Sequence, residues 1–171
     1  AWFVLVASPL VSQTLSPVNA GRLDQGEIIS SHEREPGKSL KDFLPKTLKP
    51  GLTPAEKKLL EAAQKGEEAD FSSGQEEEDK PENAAKWGPE RTIRSEFLYW
   101  LCTDPEVGRC VHAHGILIQG AKISGPLDFI AATLPHPLVI FKSSLGDITL
   151  SDAETRSLVF SGSSINSINA D

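Results

Sequence analysis

The stretch LVIFKSSLGDITLSDAETRSLVFSGSSINSINAD, residues 138–171, repeats itself every five residues. Large and small residues alternate at this spacing in the series Leu138, Ser143, Ile148, Ala153, Leu158, Ser163 and Ile168. The positions two further on are mostly bulky and apolar: Ile140, Leu145, Leu150, Thr155, Phe160, Ile165 and Ala170. A five-residue period nested in a twenty-residue one is typical of a solenoid whose inward side chains stack from coil to coil. The stretch therefore predicts coils of four short sides, with Leu138 on Leu158, Ile140 on Phe160 and Leu145 on Ile165.

The preceding residues fit the same frame. Seven residues lie 22 or 21 positions before partners of the same kind: Ile116, Ile118, Ala121, Ile123, Leu127, Phe129 and Ala132. The frame slips near residues 124–127 and again near Pro135 and Pro137, where we place corners or bulges because proline cannot donate a ladder hydrogen bond. The alternative is a series of ordinary short strands, as in a sandwich. A sandwich does not require the fixed four-step order of large and small residues.

Charge and periodicity divide the chain into segments. Residues 56–83 hold ten acidic residues against four lysines, which is most of the net charge of −7. Residues 111–171 hold three basic against five acidic residues, so the acidity belongs to the lead-in. We expect five segments: a truncated signal peptide or membrane anchor (1–20), a linker (21–51), a short helix with an acidic disordered stretch (52–83), a helical cap (84–110) and the solenoid (111–171).

The amino end resembles an export signal. Trp2 to Leu10 is apolar, and Val18-Asn19-Ala20 is a small-x-small pattern followed by polar chain. A truncated signal peptide, a truncated anchor and a plain buried strand all fit it, and the first two indicate the cell envelope or the exterior. The chain has no methionine, so we do not expect a complete reading frame, and we expect further coils after residue 171 because the third is short of a side.

Two helices are predicted before the solenoid. Thr53-Pro54-Ala55-Glu56 supplies a capping box with proline at the first helical position, which predicts a helix over residues 54–65. The acidic run 75–79 after it is typical of disorder. A second helix is predicted from Pro89 through an apolar stripe of Ile93, Phe97, Leu98 and Leu101. It directly precedes the first coil, so we interpret it as the amino-terminal cap of the solenoid.

Three stretches resemble one family. LTPAEKKLLEAAQKGEEADF (52–71), KWGPERTIRSEFLYWLCTD (86–104) and HGILIQGAKISGPLDF (114–129) are similar to bacterial pentapeptide-repeat-like proteins. The resemblance implies a mainly β fold, a right-handed quadrilateral β-helix of ~20-residue coils with an N-terminal α-helical cap. Such sequences are often described as membrane-associated and sometimes as oxidoreductases. The chain departs from the strict pattern because Asn or Asp seldom follows the small inward residue, and no catalytic residues can be transferred.

The sequence predicts neither cofactor nor metal. Gly115, Gly120 and Gly125 have the five-residue corner spacing and not that of a dinucleotide turn, and a P-loop ending is missing. The only group of residues in the sequence that suggests metal binding or redox chemistry consists of Cys102, Cys110, His112 and His114. The two cysteines could be inert core residues, could form a disulfide in an oxidising compartment, or could join the histidines as zinc ligands, although the spacing matches no common zinc motif.

One apolar stripe is predicted to face outward. Leu117, Val139 and Val159 fall at the same place in successive coils, and Phe141 lies beside them. Three interpretations remain open for this interaction stripe: a cover supplied by the Pro89 to Leu101 helix or the apolar lead-in, a docking face for a partner or another copy, and chance.

These features favour a structural or protein-interaction scaffold of the cell envelope, without enzymatic activity, nucleic acid or cofactor. The partner would be another protein or a second copy, with an amino-terminal membrane tether as an option. The alternatives are a β-helix enzyme acting on polysaccharide, for which twenty-residue coils leave no spare chain to build a cleft, and a membrane-associated oxidoreductase. Mimicry of DNA is a weak third hypothesis, because the predicted solenoid carries little charge.

Overall fold

A computed structural model describes residues 40–48 and 51–171. The predicted signal peptide or anchor (1–20) and most of the linker (21–51) lie outside these residues. No helix within the described ranges is long and apolar enough to cross a membrane.

Helices precede the strand-rich part of the chain. The α-helices are α1 (Pro54–Lys65), α2 (Ser95–Thr103) and α3 (Pro105–Gly108), and 3-10 helices span Leu40–Phe43, Lys46–Leu48 and Pro81–Lys86. The strands are β1 (Glu68–Asp70), β2 (Thr92–Arg94), β3 (Ile116–Gln119), β4 (Lys122–Ser124), β5 (Leu127–Asp128), β6 (Thr133–Leu134), β7 (Leu138–Phe141), β8 (Ser144–Thr149), β9 (Glu154–Thr155), β10 (Leu158–Ser161) and β11 (Ser164–Asn169).

All strand pairs in the described part of the chain are parallel, and they form three sheets. The first sheet has the order β1-β3-β7-β10, the second has the order β11-β8-β4-β2 with β5 also paired to β8, and the third consists of β6 and β9. From β3 onward the chain passes through the first, second and third sheets in turn and then returns to the first. Strands about twenty residues apart therefore become hydrogen-bonded neighbours.

The pairs predicted from the repeat are confirmed. Leu138 is registered with Leu158 and Ile140 with Phe160 in the first sheet, and Leu145 is registered with Ile165 in the second. The earlier offsets are confirmed too, because β3 pairs with β7 at a distance of 22 residues and β5 with β8 at 21. Ile140 and Leu145 are buried, while their partners Phe160 and Ile165 on the last strands are half-buried.

The predicted fold class is wrong. The described residues are about 29% helix and 30% strand, so the protein is a mixed structure of parallel sheets and helices and not a mainly β fold. No closed right-handed quadrilateral β-helix is found in the described part of the chain. The four sides expected per coil are also reduced to three sheets, because β8 is one continuous strand that pairs with both β4 and β5. Helices α1 and α2 contribute to the same buried core as the strands.

The predicted helical cap starts later than expected. Residues 92–94 form β2, which pairs with β4, and the helix begins only at Ser95. Ile93 is therefore a buried strand residue and not part of the helical stripe with Phe97. A β-branched Thr-Ile pair that can add hydrogen bonds to a sheet edge favours the strand over the first helical turn.

The capped helix α1 is confirmed over residues 54–65. The Oγ1 of Thr53 accepts a hydrogen bond from the N–H of Glu56, and the Glu56 carboxylate accepts one from the N–H of Thr53. The helix ends at Gly66, whose φ of 73° is left-handed. The acidic run 75–79, predicted to be disordered, forms a turn in which the N–H of Asp79 donates to the carbonyl of Gln75.

Candidate functional site

The predicted stripe lies on one face of the first sheet. Leu117, Val139 and Val159 are registered side by side on β3, β7 and β10, and Glu68 of β1 continues the row. A parallel row two residues further along consists of Asp70, Gln119, Phe141 and Ser161. Because alternate residues of a strand point to opposite faces, both rows lie away from the buried Ile118 and Ile140. We call these two rows the outer face.

The predicted helix does not cover the outer face. Helix α2 packs mainly on β2, β5, β6 and α3, which belong to the second and third sheets and the cap. Among the described elements, the main neighbours of β7 and β10 are the adjoining strands. Val139, Phe141 and Val159 are accordingly only half-buried. The apolar lead-in, the other cover considered, lies outside the described residues.

The cysteines and histidines do not form a reactive cluster in the structure. Both cysteines are free thiols, and burial raises the pKa of the Cys102 thiol well above its ordinary value. The rings of His112 and His114 pack edge to face with centroids 4.4 Å apart, and Nδ1 of His114 lies 3.2 Å from the carbonyl oxygen of Gly66 at the end of α1. No group of three or more His, Cys, Asp or Glu residues within the described ranges could hold a metal ion.

A second surface is an open cleft between α1 and the chain from residue 71 to residue 91, with a volume of about 1040 Å³. Arg91 forms one wall and is only 7% exposed. Its guanidinium carbon lies 3.8 Å from the centroid of the Trp87 ring, its Nε donates to the carbonyl of Gly120 at 2.9 Å, and its Nη1 donates to Asp79 at 2.8 Å. These contacts fix the arginine and the indole relative to the first sheet.

The acidic run closes the rim of this cleft. Asp79 accepts hydrogen bonds from the N–H groups of Ser73 (2.8 Å) and Gly74 (3.0 Å) as well as from Arg91. Desolvation opposes its ionisation, but these hydrogen bonds outweigh desolvation and lower the pKa of Asp79. The indole N–H of Trp87 donates to the carbonyl of Glu78 at 2.9 Å. The acidic loop is thus folded back onto the aromatic side chain.

The apolar stripe of the outer face can be predicted from the amino-acid sequence, but the cleft cannot. The five-residue repeat predicts which residues of neighbouring strands lie side by side, and so it also predicts which side chains point outward. The cleft joins residues from three separate segments, and its local signal, Trp87 four residues before Arg91, is shared by many ordinary helices. Only the tertiary contacts of Arg91 with Asp79 and Gly120 distinguish it.

Comparison of the chain with family models, curated proteins and solved structures finds no match. The resemblance to pentapeptide-repeat-like proteins stays a prediction.

Proposed function

We propose that this protein is a non-enzymatic structural scaffold of the cell envelope that associates with a second copy of itself through the outer face. The observation that carries the proposal is the continuous row of Leu117, Val139 and Val159 across three hydrogen-bonded strands, which is half-buried and which α2 does not cover. A contiguous apolar row on a flat sheet favours burial against another surface. The envelope location rests on the amino-terminal sequence.

The charges around the outer face favour a second copy as the occupant. Its β1 edge is acidic through Glu68 and Asp70, and the exposed Arg156 lies two residues before β10 at the opposite edge. A two-fold axis parallel to the strands places β1 of one copy over β10 of the other. The acidic edge with Glu68 then overlies the edge that carries Arg156, and this happens twice in the dimer, because an isologous interface presents the same patch from both copies.

The small size of the face sets the strength of association. Three strand spacings of about 4.8 Å give the rows a width of roughly 15 Å. A face of this width that is only two rows of side chains long covers less than the roughly 800 Å² per partner of a stable interface. We therefore expect weak, concentration-dependent dimerisation.

A double variant tests the proposal. Val139→Lys/Val159→Lys should abolish dimerisation in sedimentation equilibrium experiments run to about 1 mM protein, because burying an unpaired ammonium is costly. The variant should keep the thermal midpoint of the wild type within a few degrees, because both positions are already partly exposed. A matched control is Thr133→Lys/Ser164→Lys, which adds the same charge at exposed strand positions of the other two sheets.

Two outcomes contradict the proposal. A wild-type chain that remains monomeric over the whole concentration range has no self-association to explain. A double variant that dimerises as well as the control shows that copies meet elsewhere. If the double variant loses much stability and the control does not, the outer face is an internal packing surface.

A further inference from the structure

The cleft beside Trp87 holds two lysines whose hydrogen bonds go to neutral oxygens. Lys58 and Lys86 line it, both are exposed, and neither forms an ion pair among the described residues. The Nζ of Lys58 donates to the carbonyl of Asp70, and the Nζ of Lys86 lies 3.4 Å from the amide oxygen of Asn83. The charge of Lys58 also helps to lower the pKa of the nearby Asp70 carboxyl, whereas Lys86 forms no ion pair with a carboxylate of the described residues.

Most carboxylates of the cleft are already engaged. Asp70 accepts hydrogen bonds from the N–H and hydroxyl of Ser72, which lower its pKa against an opposing desolvation effect. Glu77 pairs with Lys80, which lies outside the lining, and Glu90 accepts from the N–H of Gly88. Glu78 contributes its carbonyl to Trp87. That bond engages only the backbone of Glu78, so apart from the Glu78 carboxylate the groups of the cleft still able to bind a ligand are mainly donors.

The aromatic rings of the cleft also disfavour a cationic ligand. Arg91 occupies one face of Trp87, and the ammonium of Lys58 lies 5.2 Å from the centroid of the Phe71 ring. The protein's own cations thus take the places where a ligand cation would gain most from the rings. In addition, Nη2 of Arg91 is buried with no hydrogen-bond partner in the described chain, so the wall holds one more donor without an acceptor.

We propose that this cleft binds a small ligand that carries a carboxylate or phosphate group on an aromatic or otherwise flat apolar body. The anionic group is placed between Lys58 and Lys86, and the body lies against Trp87. The volume of about 1040 Å³ is at the upper end of that of small-molecule sites. This site shares Asp70 with the outer face, but ligand binding between Lys58, Lys86 and Trp87 does not depend on self-association.

Nuclear magnetic resonance of the full chain tests the site with four defined probes. Phenyl phosphate and benzoate carry the anion and the ring, benzyl alcohol carries the ring alone, and benzylamine carries the ring with a positive charge. We expect phenyl phosphate or benzoate to shift the indole N–H of Trp87 saturably below about 20 mM, with benzyl alcohol and benzylamine at least fivefold weaker. The tighter of the two anions identifies the ligand group.

Lysine variants locate the anion. Lys58→Gln/Lys86→Gln should weaken the better anion about tenfold, since each exposed ion contact contributes roughly 0.7 kcal/mol. The control Lys57→Gln/Lys65→Gln removes two exposed lysines from the same helix α1 and should leave binding within about twofold. The proposal is overturned if neither anion shifts Trp87, if benzylamine or benzyl alcohol binds as well as the anions, or if both double variants behave alike.

Discussion

Glu56 links helix α1 to the strand that precedes α2. Its carboxylate is fully buried and receives Nε and Nη2 of Arg94 at 2.7 Å each, in addition to the N–H of Thr53. The Arg94 side chain is 32% exposed, so half of this pair remains near solvent. Desolvation raises the pKa of Glu56, but the hydrogen bonds from Arg94 and Thr53 outweigh it and lower the pKa.

We expect Glu56→Gln to destabilise the fold by roughly 2 to 4 kcal/mol at pH 7, because it removes one partner of a buried pair. Because the folded-state pKa is lowered, the stabilisation by Glu56 is present above its unfolded pKa of about 4.3 and is lost as the pH falls through the folded value. The difference in unfolding free energy between wild type and variant, measured by urea denaturation, should therefore become smaller below about pH 4.

The matched control for this prediction is Glu61→Gln, on the same helix. Glu61 forms an exposed ion pair with Lys41 at 3.5 Å, with both side chains more than half exposed. Its removal should cost less than about 0.5 kcal/mol at any pH. Equal losses for the two variants, or a Glu56→Gln loss that does not narrow in acid, would contradict the role assigned to Glu56.

The capping box of Thr53 and Glu56 could be read from the sequence, but the role of Arg94 could not. A cap joins residues three positions apart, whereas the pair with Arg94 spans 38 positions and exists only once β2 lies beside α1.

At the scale of elements, the strands form a gradient of burial from the middle of the sheets to the last strands. Ile140 on β7 is 0% exposed, since β3 and β10 flank it. Ile168 on β11 also occupies an inward position of the repeat, in register with the buried Ile148, but is 52% exposed. The same residue type therefore makes very different contributions to stability in the two strands.

We expect Ile140→Ala to cost roughly 2 to 5 kcal/mol of unfolding free energy and Ile168→Ala less than about 1 kcal/mol. The physical reason is that truncation at Ile140 leaves a cavity in a closed core, while truncation at Ile168 removes surface already in contact with water. Denaturant unfolding measures both losses of unfolding free energy, provided that the dependence of this free energy on denaturant concentration keeps the wild-type slope. Comparable losses at the two positions would show that β11 is buried as deeply as β7.

The register of the sheets could be predicted because parallel neighbours inherit the spacing of the repeat. The merging of two expected sides into β8 could not, since inward spacing alone does not show whether residues 144–149 bend. The sequence wrongly predicts a helix for residues 92–94, because Ile93 lies four positions before Phe97 and so fits an apolar helical stripe. Pairing with Lys122–Ser124 decided in favour of a strand, and that contact is not local.

At the scale of the molecule, one mixed core joins the lead-in to the sheets, and two surfaces remain open. Helices α1 and α2 share that core with inward residues of all three sheets. The outer face follows from the repeat and could be predicted. The cleft depends on how residues 71–91 fold back on α1, which no periodicity encodes.

A charge exchange across the proposed dimer tests the central claim most directly. In sedimentation equilibrium, Glu68→Lys and Arg156→Glu should each weaken dimerisation about threefold or more, because each places like charges at both pairs of overlapping edges in the dimer. The combined variant Glu68→Lys/Arg156→Glu should restore the wild-type dissociation constant to within about twofold, since opposite charges again occupy the overlapping edges. If the combined variant instead dimerises more weakly than either single variant, or if none of the three differs from wild type, the edges that carry Glu68 and Arg156 do not overlap and the proposed association through the outer face is wrong.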